Sequence, residues 1–157
     1  KAFGACRDVT LEYPVAENEG EEDNTYLLIN MVVGNAADSQ MAMAFEVLDY
    51  ALLSAPGAPL KQALLDVKAG KDVYGSYDDG ILQPYFTVIA KGSNPDRKEE
   101  FVSVIRQVLG DIVKNGIDRK AVEAGINYFE FRYREADFSL LSERTDVQSG
   151  YSGRLAV

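Results

Sequence analysis

The stretch Asp72–Lys91, DVYGSYDDGILQPYFTVIAK, decides the fold because it predicts two antiparallel strands joined by a tight turn. Asp72–Tyr77 and Ile81–Lys91 are rich in aromatic and β-branched residues, and Asp78-Asp79-Gly80 separates them. An Asp-Gly step between two such segments is a strong signal of a β-hairpin. The rest of the chain must therefore cover at least one face of a small sheet.

Two strands and two helices are predicted before this hairpin. Asp8–Val15 alternates between apolar and polar residues, and Thr25–Val33 is a run of large apolar residues, so each predicts a strand. Asp38 or Ser39 is the predicted cap of a helix to about Ser54, because apolar residues recur there at helical spacing. A shorter helix is predicted at residues 58–68.

Two further helices are predicted after the hairpin. Asn94 as the cap and Pro95 at the first helical position begin a helix that Gly116 ends. Asp118 caps a last helix to about Ala136, and its predicted inner face consists of Val122, Ile126, Phe129 and Tyr133. After Phe138 the periodicity disappears, so residues 139–157 are predicted to form an extended or poorly ordered tail that marks a truncated boundary.

This order of elements predicts a single α+β domain over residues 1–138. Amphipathic helices beside alternating strands indicate a two-layer sandwich, with the helices on one face of a mostly antiparallel sheet. Pro84 cannot donate a backbone hydrogen bond, so Leu82–Tyr85 is predicted to be a strand edge or a contact surface.

The charge balance excludes some classes of partner. The formal net charge is −9, whereas binding to nucleic acid or to an anionic membrane needs a basic face. No apolar run approaches the roughly 20 residues of a membrane span, and no targeting signal is visible. Cys6 is the one cysteine, so an intrachain disulfide is impossible. The expected setting is the bacterial cytoplasm or an organellar matrix.

The absence of histidine is the strongest functional restriction in the sequence. Serine and cysteine nucleophiles normally need an imidazole base, and catalytic zinc normally takes at least one histidine ligand. No catalytic, metal-binding or cofactor-binding residue is therefore predicted in this chain.

Candidate sites in the sequence have simpler structural interpretations. The acidic residues at 17–23 lack the spacing of a calcium loop and indicate a solvated loop. Ser76 does not fit the G-x-S-x-G pattern, and Asp78-Asp79 fits a turn better than a catalytic carboxylate pair. The last predicted helix carries a group of basic and aromatic residues that suggests anion binding, namely Lys120, Tyr128, Arg132, Tyr133 and Arg134. Acidic residues alternate with this group, which favours an exposed helix face held by salt bridges.

Several blocks resemble the presequence-protease branch of the pitrilysin/insulinase superfamily of zinc metallopeptidases, in its internal second domain. They lie in one register over about residues 8–138. The similar blocks are Tyr13–Val15, TYLLINMVVG at 25–34, LDYALL at 48–53, APGAPLKQALL at 55–65, LQPYF at 82–86, Lys91-Gly92, IDRKAVEA at 117–124, Glu130-Phe131 and Arg134-Glu135.

The resemblance implies a β-α-β-β-α-α core of the kind shared by LuxS and mitochondrial processing peptidase. It also implies a parent protein of about four such domains, arranged as two halves that close around an unfolded peptide. Zinc in that family is bound by an H-x-x-E-H motif and a distal glutamate of the first domain. The family's Pro-Arg/Lys-Gly-Leu-type stretch is matched here only by Gly153-Arg154-Leu155.

The leading hypothesis is a catalytically silent domain of a zinc endopeptidase that degrades short unfolded peptides in an enclosed chamber. Its expected partners are the other domains of the same chain, the peptide substrate of the parent, and further copies of the excised domain. One alternative is a non-enzymatic scaffold or peptide-binding subunit related to inactive members of the superfamily. Another is a free-standing acidic binding domain of ferredoxin-like fold.

Overall fold

The computed structural model describes residues 5–16, 20 and 22–135. A π-helical turn, Tyr50–Ser54, continues the first helix, and a 3-10 turn, Pro95–Arg97, precedes the third. The strands and helices are, in chain order, β1 Thr25–Val32, α1 Ser39–Asp49, α2 Pro59–Asp66, β2 Asp72–Asp78, β3 Tyr85–Ser93, α3 Lys98–Asn115 and α4 Arg119–Arg134.

The three strands form an antiparallel sheet in the order β1-β3-β2. Alternate residues of the central strand β3 point toward the helices, and each has a partner on both neighbouring strands. The inner face therefore consists of three rows of side chains, which are Leu27-Ala90-Val73, Ile29-Val88-Gly75 and Met31-Phe86-Tyr77. The predicted β2–β3 hairpin is confirmed.

The helices cover this inner face and bury one apolar core. Phe101 of α3, Leu60 of α2 and Leu53 of the π-helical turn are almost completely buried beside Val73 and Val88 of the sheet. Each such side chain contributes about 1.5–3 kcal/mol by its removal from water. The α+β class and the mostly antiparallel sheet with helices on one face are confirmed.

Two of the predicted caps hold helix ends as expected. Asp38 accepts a hydrogen bond from the Met41 amide of α1, and Asp118 accepts one from the Lys120 amide of α4, both at 3.0 Å. Gly116 ends α3 with a φ of 84°, which favours glycine. The side chain of Asn94 makes no capping hydrogen bond, and the 3-10 turn begins at Pro95.

The predicted strand at Asp8–Val15 is wrong. Residues 5–16 contain no strand, and Val9 and Leu11 are 69% and 84% exposed. The alternation indicated a half-buried strand, but among the described residues no strand pairs with this segment. It is held by an ion pair between Asp8 and Lys98, and by Tyr13, which donates a hydrogen bond to the Asn24 carbonyl.

The central strand begins later than predicted, at Tyr85 rather than Ile81. Pro84 is buried and has no amide hydrogen to extend the ladder, so the preceding residues form a loop. The carbonyls of Pro84 and Leu82 instead accept hydrogen bonds from the Val33 and Ala36 amides at 2.9 and 3.2 Å. The loop is thereby fixed to the end of β1.

The last helix packs on α1 and the π-helical turn through Gly125. A Cβ at this glycine would lie 3.2 Å from the side chains of Val47 and Tyr50, so the two elements approach closely. Ile126 is 50% exposed and was wrongly placed on the inner face, because it lies about 100° around the helix from Gly125. Residues 136–157 lie outside the described chain, so the predicted domain limit and tail stay predictions.

Replacement of Gly75 by alanine should destabilise the fold by about 2 kcal/mol or more, because the new Cβ would overpack the interface between β2 and the π-helical turn. It would lie 2.3 Å from Leu53 Cδ1 and 2.4 Å from Asp49 Oδ1. The matched control is Gly110→Ala in α3, where no atom lies within 4 Å of the added methyl group. That variant should gain about 0.5–1 kcal/mol. Urea unfolding of both variants measures the difference, and equal stabilities would contradict the packing argument.

Candidate functional site

Asp49 places a carboxylate against the inner face of the sheet. It is the last residue of α1, and its Oδ1 is buried with no hydrogen-bond partner among the described residues. Burial raises the pKa of the Asp49 carboxyl, and a hydrogen bond from the Ser54 side chain acts in the opposite direction. A buried acid of this kind is a candidate for chemistry only if further reactive groups surround it.

Such groups are absent from the part of the chain that the structure describes. No cluster of three or more His, Cys, Asp or Glu side chains capable of holding a metal ion occurs there. Asp49 was missed by the sequence analysis, although its spacing from Phe45 and Leu52 places it on the apolar stripe of the helix. Its surroundings are those of a structural residue in a tight interface.

The Asp78-Asp79 pair serves the hairpin turn. Asp78 accepts hydrogen bonds from the Gly80 amide and from the Tyr85 hydroxyl, both at 2.9 Å. This hydrogen bond and the negative charge of Asp78 raise the pKa of Tyr85. Ser76 lies exposed on the outer face of β2. The turn interpretation is confirmed for Asp78.

Two basic residues of α4 form ion pairs along the helix surface. Arg119 and Arg134 form ion pairs with Glu123 and Glu130, one helical turn away, at 2.8 and 2.5 Å. The Arg132 guanidinium lies 5.8 Å from the centre of the Tyr128 ring, within the range of a cation–π contact. The predicted salt-bridged face is confirmed for Arg134, whereas Arg132 contacts a ring and Lys120 is exposed. Such exposed pairs contribute only about 0–1 kcal/mol each.

Asp23 connects the start of β1 to the end of β3. Its amide donates to Asn94 Oδ1 at 2.9 Å, and Asn94 Nδ2 donates back to its carboxylate at 2.8 Å. Lys71 lies 3.2 Å from the same carboxylate. The hydrogen bond from Asn94, followed by the interaction with Lys71, lowers the pKa of Asp23. Glu17, Glu19 and Glu21 lie outside the described residues, and Cys6 is exposed.

The β2–β3 loop, residues 79–84, presents apolar side chains to solvent and is called the hairpin tip below. Ile81 and Leu82 are 56% and 72% exposed, whereas Pro84 behind them is buried. A shallow groove of about 420 Å³ lies beside them, lined by Gly34, Asn35, Ile81, Leu82 and Gln83. The predicted contact surface at Leu82–Tyr85 stays a prediction, and the exposed apolar side chains in this region are those of Ile81 and Leu82, in a loop rather than at a strand edge.

The outer face of the sheet is the second surface with exposed apolar groups. Tyr26, Leu28 and Tyr74 are exposed there, on the face opposite the helices. The Tyr13 ring packs edge-on against Tyr26, with 5.9 Å between the ring centres. Among the described residues, neither of these two surfaces includes a cluster of side chains that could hold a metal ion.

Comparison with known protein families identifies the class of domain. The family described as the Peptidase M16 inactive domain matches residues 6–129, and the chain belongs to this family. Its fold is similar to that of an inactive peptidase domain, assigned to a zinc protease, from Bordetella parapertussis. The TM-score is 0.65 at 14% identity, over 82% of this chain and 70% of that one.

Curated relatives place the chain near the presequence proteases. Protein HypA of Clostridium perfringens is 40% identical over 138 residues, which cover 88% of this chain and 14% of that protein. Presequence protease 1 of Arabidopsis thaliana, chloroplastic/mitochondrial, is 29% identical over 86% of this chain and 13% of that protein. The chain thus spans about one seventh of the length of these relatives, and the resemblance to an internal, inactive domain is confirmed.

The described helices were also compared with the length and apolarity that a membrane span requires. None of them is sufficiently long and apolar to cross a bilayer.

Replacement of Asp49 by asparagine should stabilise the protein at pH 7. Because burial raises the pKa of Asp49 above its ordinary value of 3.8, ionisation costs the folded state stability as the pH rises through the folded pKa. The advantage of the variant should therefore shrink as the pH falls through the folded pKa, and it should be largely lost below 3.8. Unfolding in urea at pH 7 and pH 3 measures this, with exposed Asp111→Asn as the control. An advantage that is independent of pH would contradict the role given to the carboxylate.

Proposed function

We propose that this chain is the second, catalytically silent domain of a large zinc-dependent endopeptidase that degrades short unfolded peptides in an enclosed chamber. Its role is structural, because it flanks the domain that holds the metal and forms part of the wall of the chamber. The observation that carries this proposal is the match to the Peptidase M16 inactive domain over residues 6–129.

The side chains present do not fit the zinc that the family implies. The whole sequence lacks histidine, and the described residues contain no cluster of acidic and cysteine ligands. Catalytic zinc sites normally combine three protein ligands, usually including histidine, with one open position. Zinc is accordingly assigned to another domain of the parent chain, and no reaction step involves residues of this one.

The matched relatives also support a proposal for the cellular compartment of the protein and for its partners. Two of the matched proteins are named as mitochondrial or chloroplastic presequence proteases, and the chain corresponds to 13% of the length of each. The proposed setting is therefore an organellar matrix or the bacterial cytoplasm, and the proposed partners are the remaining domains of the same chain. Self-association of the isolated chain stays a prediction, which sedimentation velocity would measure.

A non-enzymatic scaffold or peptide-binding subunit is the alternative. The relative with 40% identity is named only Protein HypA, so its name carries no protease activity to this chain. A parent chain that lacks an H-x-x-E-H motif throughout would favour this alternative.

The isolated chain should not hydrolyse an unfolded fluorogenic peptide above the buffer rate, with or without added zinc, because its sequence offers neither a histidine zinc ligand nor an imidazole base. The full-length parent should hydrolyse the same peptide, and a chelator should abolish that activity. Turnover by the isolated chain would contradict the assignment as a silent domain. A parent without chelator-sensitive activity would instead support the scaffold.

A further inference from the structure

The sequence contains one asparagine that a glycine follows, Asn115-Gly116. At such a step the backbone nitrogen of the second residue can attack the side-chain carbonyl carbon of the first. Glycine hinders this attack least, because it has no Cβ beside that nitrogen. The other asparagines, such as Asn35 and Asn127, precede residues that carry side chains. Asn115 is therefore the asparagine whose side chain can react most easily.

The fold places this step at the junction of two helices, where water reaches it. Asn115 is the last residue of α3, and both Asn115 and Gly116 are exposed. Gly116 leaves the helix with a φ of 84°. Apart from its chain neighbours, no described atom lies within 4 Å of the position where a Cβ would stand on Gly116. A ring formed between the two residues therefore has space.

One hydrogen bond restrains the reacting nitrogen. The Gly116 amide donates to the Ile112 carbonyl at 2.8 Å and closes the last turn of α3. This turn must open before the nitrogen can approach Asn115 Cγ, because the bond directs the amide back along the helix. Exposed helix ends open at a free-energy cost close to zero, so the bond slows the attack only slightly.

We infer that Asn115-Gly116 is a site of spontaneous covalent modification, at which the asparagine becomes a mixture of aspartate and isoaspartate. The Gly116 nitrogen loses its proton to solvent and forms a bond to Asn115 Cγ. The bond from Cγ to Nδ2 then breaks, and the nitrogen leaves as ammonia after it takes up a proton. Water opens the resulting succinimide ring at either carbonyl carbon, which yields one carboxylate. No oxidant is needed, and the reaction is independent of the proposed function.

The products change the junction between α3 and α4 in two ways. A carboxylate at position 115 lies at the C-terminal end of α3, where the helix dipole disfavours an anion, and one turn from Asp111. Isoaspartate also directs the main chain through the side-chain carbons, which inserts a methylene group before Ile117. Ile117 packs against the core, and α4 begins at Arg119. The longer link therefore displaces α4 relative to α1.

The first test follows the side-chain amides of the folded chain during storage in mildly alkaline buffer, by peptide mapping with mass spectrometry. Position 115 should lose its amide and gain isoaspartate, which an isoaspartyl methyltransferase labels, whereas Asn35 and Asn127 should keep their amides. The variant Asn115→Gln should remain unmodified, because its longer side chain must close a larger ring. Loss of the amides at Asn35 and Asn127 as fast as at position 115 would overturn the inference.

The same measurement in guanidinium chloride shows how strongly the fold protects the step. If only the last turn of α3 must open, the folded chain should react within about tenfold of the rate of the unfolded chain. If the whole domain had to unfold first, the folded chain would react about a thousandfold or more slowly. Protection of that size would contradict modification of the folded protein.

The effect on α4 is tested by hydrogen exchange and urea unfolding. The Asn115→Asp variant carries the new charge without the added methylene group, and its folding equilibrium constant should be about two- to fivefold lower than that of Asn115→Gln. In the isoaspartate fraction of the stored protein, the α4 amides should exchange faster than in either variant. Exchange equal to that of stored Asn115→Gln would show that the junction tolerates the longer link and would overturn the predicted displacement of α4.

Discussion

Strand β3 hydrogen-bonds along both of its edges, and every other element of the core depends on its position. Its inward residues Phe86, Val88 and Ala90 form the middle of each row on the sheet, so a shift of its register by one residue would turn these rows toward solvent. Gly75, next to Val88, lets the π-helical turn approach the sheet closely enough for Leu53 to be buried. The wider turn of the π-helix thus occurs where the packing is tightest.

The close packing of the helices on β3 leaves little space for a reactive site in the described core. Aliphatic and aromatic side chains fill the space between sheet and helices, and the Asp49 carboxylate lies against the sheet beneath Gly75. In the described residues no further metal-binding group joins it. The whole sequence also lacks histidine, so neither an imidazole base nor a histidine zinc ligand is available.

Local sequence signals correctly predicted those features of the fold that a single residue can determine, such as a helix cap or a turn. The caps at Asp38 and Asp118, the stop at Gly116 and the hairpin around Gly80 are determined by hydrogen bonds within a few residues. Prediction failed where the outcome depends on distant partners. The alternation of Asp8–Val15 is compatible with a strand, but no strand edge within the described ranges pairs with it. The exposed tip was predicted only as a strand edge or a contact surface, because the groove beside it combines residues 34–35 with residues 81–83.

The strand edges give an independent physical argument that the domain functions inside a larger assembly. Among the described residues β1 pairs with β3 alone, and its sequence, TYLLINMV, contains no charged residue. Free-standing proteins commonly protect such edges with charges, prolines or bulges, because an open apolar edge recruits other chains. The acids of β2 lie only at its two ends, Asp72 and Asp78, and leave its middle similarly unprotected. Open apolar strand edges and an open apolar outer face would promote aggregation of a separate protein. They suit a domain whose relatives are about seven times its length, because other parts of a longer chain can cover them.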